Sequence, residues 1–517
     1  MSHFYSIKNA DMKTLINKLP IYASYAFILL FTYAAGSKMF DFENFQVQLA
    51  QSPLLSAYAG FISYAVIILE VMIAGVLVDP KVRRIGLYAS FGLMASFTVY
   101  IYLILKYSDF VPCSCGGILE KMSWDEHLLF NVSFVALAFT AIIMMGKEGT
   151  IRFRRTAALS SLTLIVSVGG MVVLFFSSEY IMKKENNFIR RFPQHPVTEE
   201  ATFDLNVNSY YFAGFDQNHL YLGNLTSPFR LRQINFQLNA ERTMFIKPQM
   251  MVQFNQPPRI KVMNEHFFFY DGSAPVIYRG LKDTPEAELL MYKNAYFNQL
   301  AVLDSGHFAF RTIVPEPKHF AIGTLGFDNH QGLIIHKDFI PSKIRSLFET
   351  DGQLLTDPVN HDVVYLYSYQ NKYTVSNKYV QKTRTYNTIV KTGVLQVKYK
   401  TMKNGDKRLQ TPPRKLNRTA AVYGGVLFAE SAVMGRYEPK KSWKEAGVID
   451  MYSTSRQEYL GSIYLYHHDQ GKITDMVVTG DYLFVIRDSI LIRYRLNKAI
   501  KENFRTGEAE NLKQSRR

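Results

Sequence analysis

Five long apolar runs occur before residue 180, and no run of comparable length follows them. They are Pro20–Gly36, Ser56–Val78, Ile85–Leu105, Leu128–Met145 and Ala157–Ser178. Each can cross, or nearly cross, a hydrocarbon core of roughly 30 Å as a helix. That pattern excludes a soluble enzyme, a disulfide-stapled miniprotein and a disordered chain. It predicts a membrane bundle carrying a large polar domain.

Basic residues near short loops stay on the cytoplasmic side of a membrane. Lys8, Lys13 and Lys18 precede the first span, Lys81, Arg83 and Arg84 separate the second from the third, and Lys147, Arg152, Arg154 and Arg155 separate the fourth from the fifth. The alternate loops are poor in them: Lys38 is the only basic residue in 37–55, and 107–127 holds Lys121 against four acids. All five spans therefore predict a cytoplasmic N-terminus, with the loop 107–127 and everything after Ser178 outside. The small residues Ala34-Ala35-Gly36 also permit a cleaved signal peptide in place of the first span.

From Phe203 to Asn497 the chain becomes a series of short β-type runs separated by turn signals. A phrase of large apolar or aromatic residues headed by a polar residue or glycine recurs at His219, His266, His307, Asp362, Gly425 and Asp481, spaced 47, 41, 55, 63 and 56 residues apart. Repeats near this period are those of four-stranded propeller blades, which bury their faces by stacking on one another. A propeller of six or seven blades is predicted, with a pair of β-sandwiches as the alternative. The histidines heading three phrases occupy equivalent positions around such a ring and cannot converge on one ion, so no metal site is assigned to them.

The formal net charge is +16, and its distribution matters more than its size. Residues 372–418 hold 13 basic side chains and one acid, Asp406, with tyrosines interleaved. Outside the cytoplasm nucleic acid is not the expected partner; anionic lipid headgroups or an acidic protein are. A solvated basic face without a dedicated partner fits the same composition.

The only two cysteines are Cys113 and Cys115, in the outward loop Val111-Pro112-Cys113-Ser114-Cys115-Gly116-Gly117. A structural disulfide stabilises by constraining a long loop, and a Cys-x-Cys bridge constrains almost nothing. Strained, exposed bridges are the labile ones, which favours redox cycling over stapling. A metal-binding pair with His127 as an extra ligand is a third reading. Ser123-Trp124-Asp125-Glu126 matches a capping box opening the fourth span. The second candidate is Glu70, the one ionisable residue well inside a span. It must face the bundle interior and find a partner. It could relay a proton, meet a quinone headgroup, or hydrogen-bond a Tyr or Ser on a neighbouring span.

Phe31-Thr32-Tyr33-Ala34-Ala35-Gly36-Ser37-Lys38 leading into Asp41-Phe42-Glu43-Asn44-Phe45, Leu69-Glu70, and Pro112-Cys113-Ser114-Cys115-Gly116-Gly117 followed by Trp124 resemble the methylamine utilisation protein E (MauE) family, related to the DoxX-like four-helix membrane proteins. The resemblance covers about residues 18–147. It implies a bacterial inner-membrane protein that assists maturation of an exported protein by handling disulfides or electrons, as the family does for a periplasmic methylamine dehydrogenase subunit. It implies a redox role for Cys113 and Cys115, and a lesser one for Glu70. A fifth span and a large outer domain depart from the family pattern, so methylamine itself need not be involved. A single thiol pair also departs from the two pairs of a complete disulfide-generating oxidase, so the electron path needs a partner or a membrane carrier.

The expected organisation is a four-helix transmembrane domain over 1–147, a fifth helix and linker over 148–199, an extracytoplasmic β-propeller over 200–497 and a charged, flexible tail over 498–517. The expected function is a thiol-disulfide or electron-transfer component of the inner membrane, with a quinone as the candidate carrier and a thioredoxin-like or other envelope protein as the candidate partner. The alternative is a non-enzymatic scaffold whose propeller binds a protein in an envelope complex.

Overall fold

The computed structural model describes residues 2–52, 55–107, 122–145, 150–184, 186–315, 318–327, 332–337, 339–340, 347–391, 399–401, 407–409, 415–466 and 471–504. The chain divides into two compact units, Met1–Gln194 with Arg436–Pro439, and His195–Gly435 with Lys440–Arg517. The fifth span thus belongs to the same unit as the other four.

The first unit is helical: α1 (Ser2–Phe40), α2 (Phe42–Gln51), α3 (Ala59–Val78), α4 (Arg83–Tyr107), α5 (Trp124–Met145) and α6 (Thr150–Lys184). Five stretches within it, Lys18–Phe40, Ser56–Val78, Arg83–Lys106, Trp124–Met145 and Phe153–Met182, are long and apolar enough to cross a membrane. Their faces are sorted by packing. Phe27 and Phe31 of α1, Ile73 and Leu77 of α3, Leu87, Phe91 and Met94 of α4, and Ala138 and Ile142 of α5 form one buried cluster. Leu162, Ile165, Val173 and Phe176 of α6 are exposed. Apolar side chains left outside a packed core are stable where the solvent is hydrocarbon.

The segment expected as a loop after the first span is mostly helix. α1 continues to Phe40, and α2 follows after the single residue Asp41. No Pro or Gly interrupts 37–51, and Phe45, Val47, Leu49 and Ala50 are all buried, so tertiary burial stabilises a second helix that the charge pattern does not reveal.

The second unit is built from strands. β1 (Val197–Asp204) comes first, followed by β2–β5 (Tyr210–Phe215, His219–Asn224, Arg230–Asn235, Glu241–Phe245), the short β6 (Lys247–Pro248) and β7–β10 (Arg259–Met263, His266–Asp271, Val276–Leu281, Glu286–Tyr292). Then come β11–β14 (Gln299–Val302, His307–Val314, His319–Gly326, Ile334–His336) and β15–β18 (Gly352–Thr356, Val363–Tyr367, Lys372–Ser376, Thr383–Asn387). A two-stranded excursion, β19 and β20 (Tyr399–Thr401, Lys407–Leu409), precedes β21–β24 (Asn417–Tyr423, Val426–Ser431, Ala446–Ser453, Tyr459–Tyr466) and β25–β27 (Ile473–Val478, Tyr482–Arg487, Ile490–Leu496).

Among the described residues, six sheets of four or more strands result, antiparallel throughout except that β6 pairs parallel with β10. The first strands β2, β7, β11, β15, β21 and β25 contact one another in a closed circle, which makes the unit a six-bladed propeller. The six sequence phrases fall on the second strand of the six blades: β3, β8, β12, β16, β22 and β26. The widest spacing, between the fourth and fifth, is where β19 and β20 intervene. Aromatic contacts stitch neighbouring blades together: Phe268 with Phe308 at 5.0 Å, Tyr373 with Tyr452 at 5.6 Å, and Phe236 with Phe484 at 5.2 Å.

Ring closure is chemical as well as geometric. The last blade draws its outer strand from the start of the domain, β1 pairing antiparallel with β27 from Val197↔Leu496 to Asp204↔Ile490. Glu200 of β1 bridges Arg493, at 3.1 Å, and Arg495 of β27. The start of the tail is helical. Asn497 caps a helical turn at Lys498–Lys501 by accepting from the Ile500 N–H, and the Phe504 ring meets Tyr423 at 5.2 Å. Residues 505–517 lie outside the described residues.

Candidate functional site

The first unit contains a cavity of about 320 Å³ among α1, α3, α4 and α5, with Phe45 and Leu49 of α2 and Met171 and Leu174 of α6 also in its wall. Its walls are mostly apolar, including Phe31, Leu69, Met94, Phe97, Ile101 and Phe130, and besides the hydroxyls of Ser37, Ser96, Tyr33 and Tyr100 they carry Lys38, Glu70, His127 and Asn131. Such a cavity, apolar with a few convergent polar groups, is the usual form of a site for a small organic ligand.

Each polar group reaches the cavity for a local reason. Lys38 lies in the last turn of α1, where a cation suits the helix C-terminus. Its Nζ donates to Glu70 Oε1 at 2.7 Å and stands 5.8 Å from the centre of the Phe45 ring. Glu70 is 1% exposed. Its partner is therefore a lysine from α1, and not the neighbouring Tyr or Ser considered from sequence.

The capping box at the start of α5 is formed reciprocally. The Ser123 N–H donates to Glu126 Oε2 at 2.8 Å, and the Glu126 N–H donates to Ser123 Oγ at 3.3 Å. This fixes the helix start, and His127 and Asn131, one turn apart, share the face toward the cavity. The Trp124 and His127 rings stack at 6.1 Å.

Glu70 Oε2, His127 Nδ1 and Asn131 Nδ2 are all buried without a hydrogen-bond partner among the described residues. A buried polar atom left unpaired costs about 1–3 kcal/mol. Three of them at one cavity is a concentration that the fold by itself does not require.

Cys113 and Cys115 lie outside the described residues, within the chain that joins Tyr107 at the end of α4 to α5. Sequence reasoning placed His127 only as a ligand beside these cysteines, and it missed Lys38 and Asn131. The signal was present: His127 and Asn131 are polar residues four apart on an otherwise apolar helix, and Glu70 in a span requires a compensating group.

In the propeller the recurring histidines serve their turns. His307 Nδ1 lies 2.9 Å from Asp304 Oδ1, and His219 Nδ1 lies 3.3 Å from Asp216 Oδ1. Burial works against the Asp304 carboxylate, but Lys378, the Gly306 N–H and His307 hold its pKa down at about 2. Within the basic stretch, Lys378 pairs with Asp304 at 2.5 Å, Arg418 with Glu430 at 3.1 Å, and Arg384 donates to the Ser455 carbonyl at 3.4 Å. Lys398, Lys403, Asp406 and Arg414 lie outside the described residues.

Several solved structures are similar to part of the chain at low identity. They include a member of the DUF4221 family from Bacteroides vulgatus (10% identity, TM-score 0.39, covering 58% of this chain and 97% of that one). BamB from Moraxella catarrhalis is similar at 10% identity and TM-score 0.31, covering 58% of this chain and 100% of that one. YCF48 bound to D1 peptide is similar at 10% identity and TM-score 0.34, covering 59% and 97%. No curated protein sequence matches the chain. In the helical region, residues 16–144 match the model of the methylamine utilisation protein MauE. With five helices long and apolar enough to cross a membrane and this match, the chain is a multi-pass membrane protein whose residues 16–144 are similar to the MauE family and whose second unit is a six-bladed β-propeller.

Proposed function

We propose that this protein is a thiol-disulfide component of a bacterial inner membrane that assists maturation of an exported protein. Cys113 and Cys115 are the reacting pair. As their S–S bond forms, the two thiols give up two electrons and two protons to a two-electron, two-proton acceptor dissolved in the membrane. In the reverse half of the cycle, the disulfide is reduced by the thiols of a client or of a thioredoxin-like partner, which are themselves oxidised to a disulfide. The propeller stands on the same, periplasmic side as the cysteine loop and holds the client or partner. Propellers commonly bind proteins, and the basic stretch 372–418 suits an acidic one.

The observation that carries this reading is the cavity. Cys115 precedes Trp124 by nine residues, and the helix that Trp124 opens brings His127 and Asn131 to the cavity wall. The thiol pair thus precedes in sequence a helix that lines an apolar chamber suited to an electron acceptor. The lone cysteine pair agrees, because a protein with one pair needs an acceptor other than a second internal disulfide.

The test is differential thiol labelling in native membranes. The expected result is that Cys113 and Cys115 are found in both oxidised and reduced forms, that the ratio shifts when respiration is blocked, and that Cys113→Ser abolishes client maturation. Cysteines that stay reduced, together with a fully functional Cys113→Ser variant, would replace this reading with a membrane-anchored scaffold.

A further inference from the structure

The cavity among α1, α3, α4 and α5 combines two properties that rarely suit one ligand. Its walls are those of a site for hydrocarbon, yet Lys38 and Asn131 bring hydrogen-bond donors to it and Glu70 Oε2 brings an acceptor. His127 Nδ1 can be either, according to its tautomer. An acyl chain would leave Glu70 Oε2, His127 Nδ1 and Asn131 Nδ2 unpaired. A phosphate headgroup would have to lie beside the Glu70 carboxylate. A lipid-soluble ring whose oxygens are acceptors when oxidised and donors when reduced suits the set in both of its states.

From this we infer that the cavity binds the headgroup of an isoprenoid quinone, with Lys38 and Asn131 donating to the carbonyls of the oxidised ring and Glu70 and His127 accepting from the hydroxyls of the quinol. The inference rests on the redox reading above for its purpose, because the quinone is the acceptor that the cysteine pair requires. It does not rest on that reading for its geometry. The balance closes without another reagent: the quinone takes up the two electrons and two protons that leave the thiols and becomes quinol. Asn131 and His127 are the specificity-determining residues, being the polar side chains at the cavity outside the Lys38–Glu70 pair whose buried atoms are unpartnered.

Binding can be measured on the full-length protein in nanodiscs. The chain has two tryptophans, Trp124 at the cavity and Trp443 in the propeller, so a Trp443→Phe background leaves Trp124 as the single reporter. Titration with decylubiquinone is expected to give saturable quenching of Trp124. Asn131→Leu and His127→Leu are each expected to weaken the apparent affinity at least tenfold while the melting temperature stays within a few degrees of the parent. Non-saturable quenching, or saturable quenching that both variants leave unchanged, would overturn the inference. So would a phospholipid that stays bound in native mass spectrometry and that decylubiquinone does not displace. Because the assay does not involve the cysteines, the two proposals fail separately. Saturable binding in a protein whose cysteines never cycle refutes the redox reading alone, and cycling cysteines without saturable binding refute this inference alone.

Discussion

Lys38 Nζ lies 2.7 Å from Glu70 Oε1, so that a cation at the end of α1 and a carboxylate inside α3 form one ion pair at the cavity. The lysine side chain is 17% exposed and the glutamate 1%. Removing one member of a buried pair leaves an uncompensated charge, at a cost of about 3–5 kcal/mol, whereas replacing both by apolar residues is often neutral. Lys38→Met is therefore expected to lower the melting temperature of the detergent-solubilised protein sharply, and Lys38→Met combined with Glu70→Leu to restore most of it. If the two single losses simply add in the double variant, the pair is not coupled and the site description fails.

Asp357, between β15 and β16 of the fourth blade, fixes the turn between β21 and β22 of the fifth. The residue is fully buried, and its carboxylate accepts from the Val359 N–H at 2.9 Å, the Gly424 N–H at 3.0 Å and the Gly425 N–H at 2.7 Å. Gly424 and Gly425 have φ of 56° and 81°, a region that glycine enters without strain. The Asn360 N–H donates to the same carboxylate at 3.3 Å, so Asp357→Ala leaves four backbone donors short of an acceptor and is expected to cost about 3 kcal/mol or more. Chemical denaturation of the purified protein would show this as a shifted midpoint for the propeller transition, and an unchanged midpoint would contradict it.

The Asp304 carboxylate carries a pH dependence. Its pKa falls from an ordinary 3.8 to about 2 in the folded protein, through Lys378, the Gly306 N–H and His307. A depressed carboxylate pKa means that folding favours the ionised form. Solvent screening of this partly exposed group leaves a stabilisation of about 1 kcal/mol, which is fully present above pH 4 and disappears as pH falls toward 2. Asp304→Asn should accordingly destabilise the propeller at pH 7 and have little further effect at pH 2. A parallel offset of the two proteins across that whole range would show that the loss comes from packing rather than charge.

Closure by β1 should govern the integrity of the ring. Deleting 197–204 removes the partner of β27 and exposes the backbone donors and acceptors of that strand. Open edges recruit other strands. The deletion is expected to give faster proteolysis within 473–496 and concentration-dependent association, read by limited digestion and light scattering. A monomer as protease-resistant as the parent would show that the ring is held by inter-blade packing alone.

Much of this architecture is legible in the sequence because it depends on residues near one another in the chain. A membrane helix satisfies its own backbone hydrogen bonds, so the five apolar runs declare themselves without reference to their neighbours. The second strand of every blade carries a run of at least four buried residues, many of them aromatic or branched, which is why His266–Asp271 or Tyr482–Arg487 stands out as a repeated phrase. The Ser123/Glu126 capping box is equally local.

What the sequence left open is decided by contacts between distant residues. The blade count needs the inter-blade contacts and the return of β1 to β27, a pairing of residues nearly 300 positions apart. Glu70 could be read as costly and in need of a partner, but that the partner is Lys38, in a segment with no helical signature of its own, follows only from the packing of α1 against α3. The cavity is wholly a tertiary feature: Lys38, Glu70, His127 and Asn131 come from three helices, and only their assembly leaves three polar atoms unpaired around one apolar chamber. Sequence alone thus determined that this protein crosses a membrane and carries a repeating β domain, because hydrophobicity and period are properties of single segments. Which groups meet at the site was decided by the tertiary structure, because charge pairing and enclosure are properties of segments brought together.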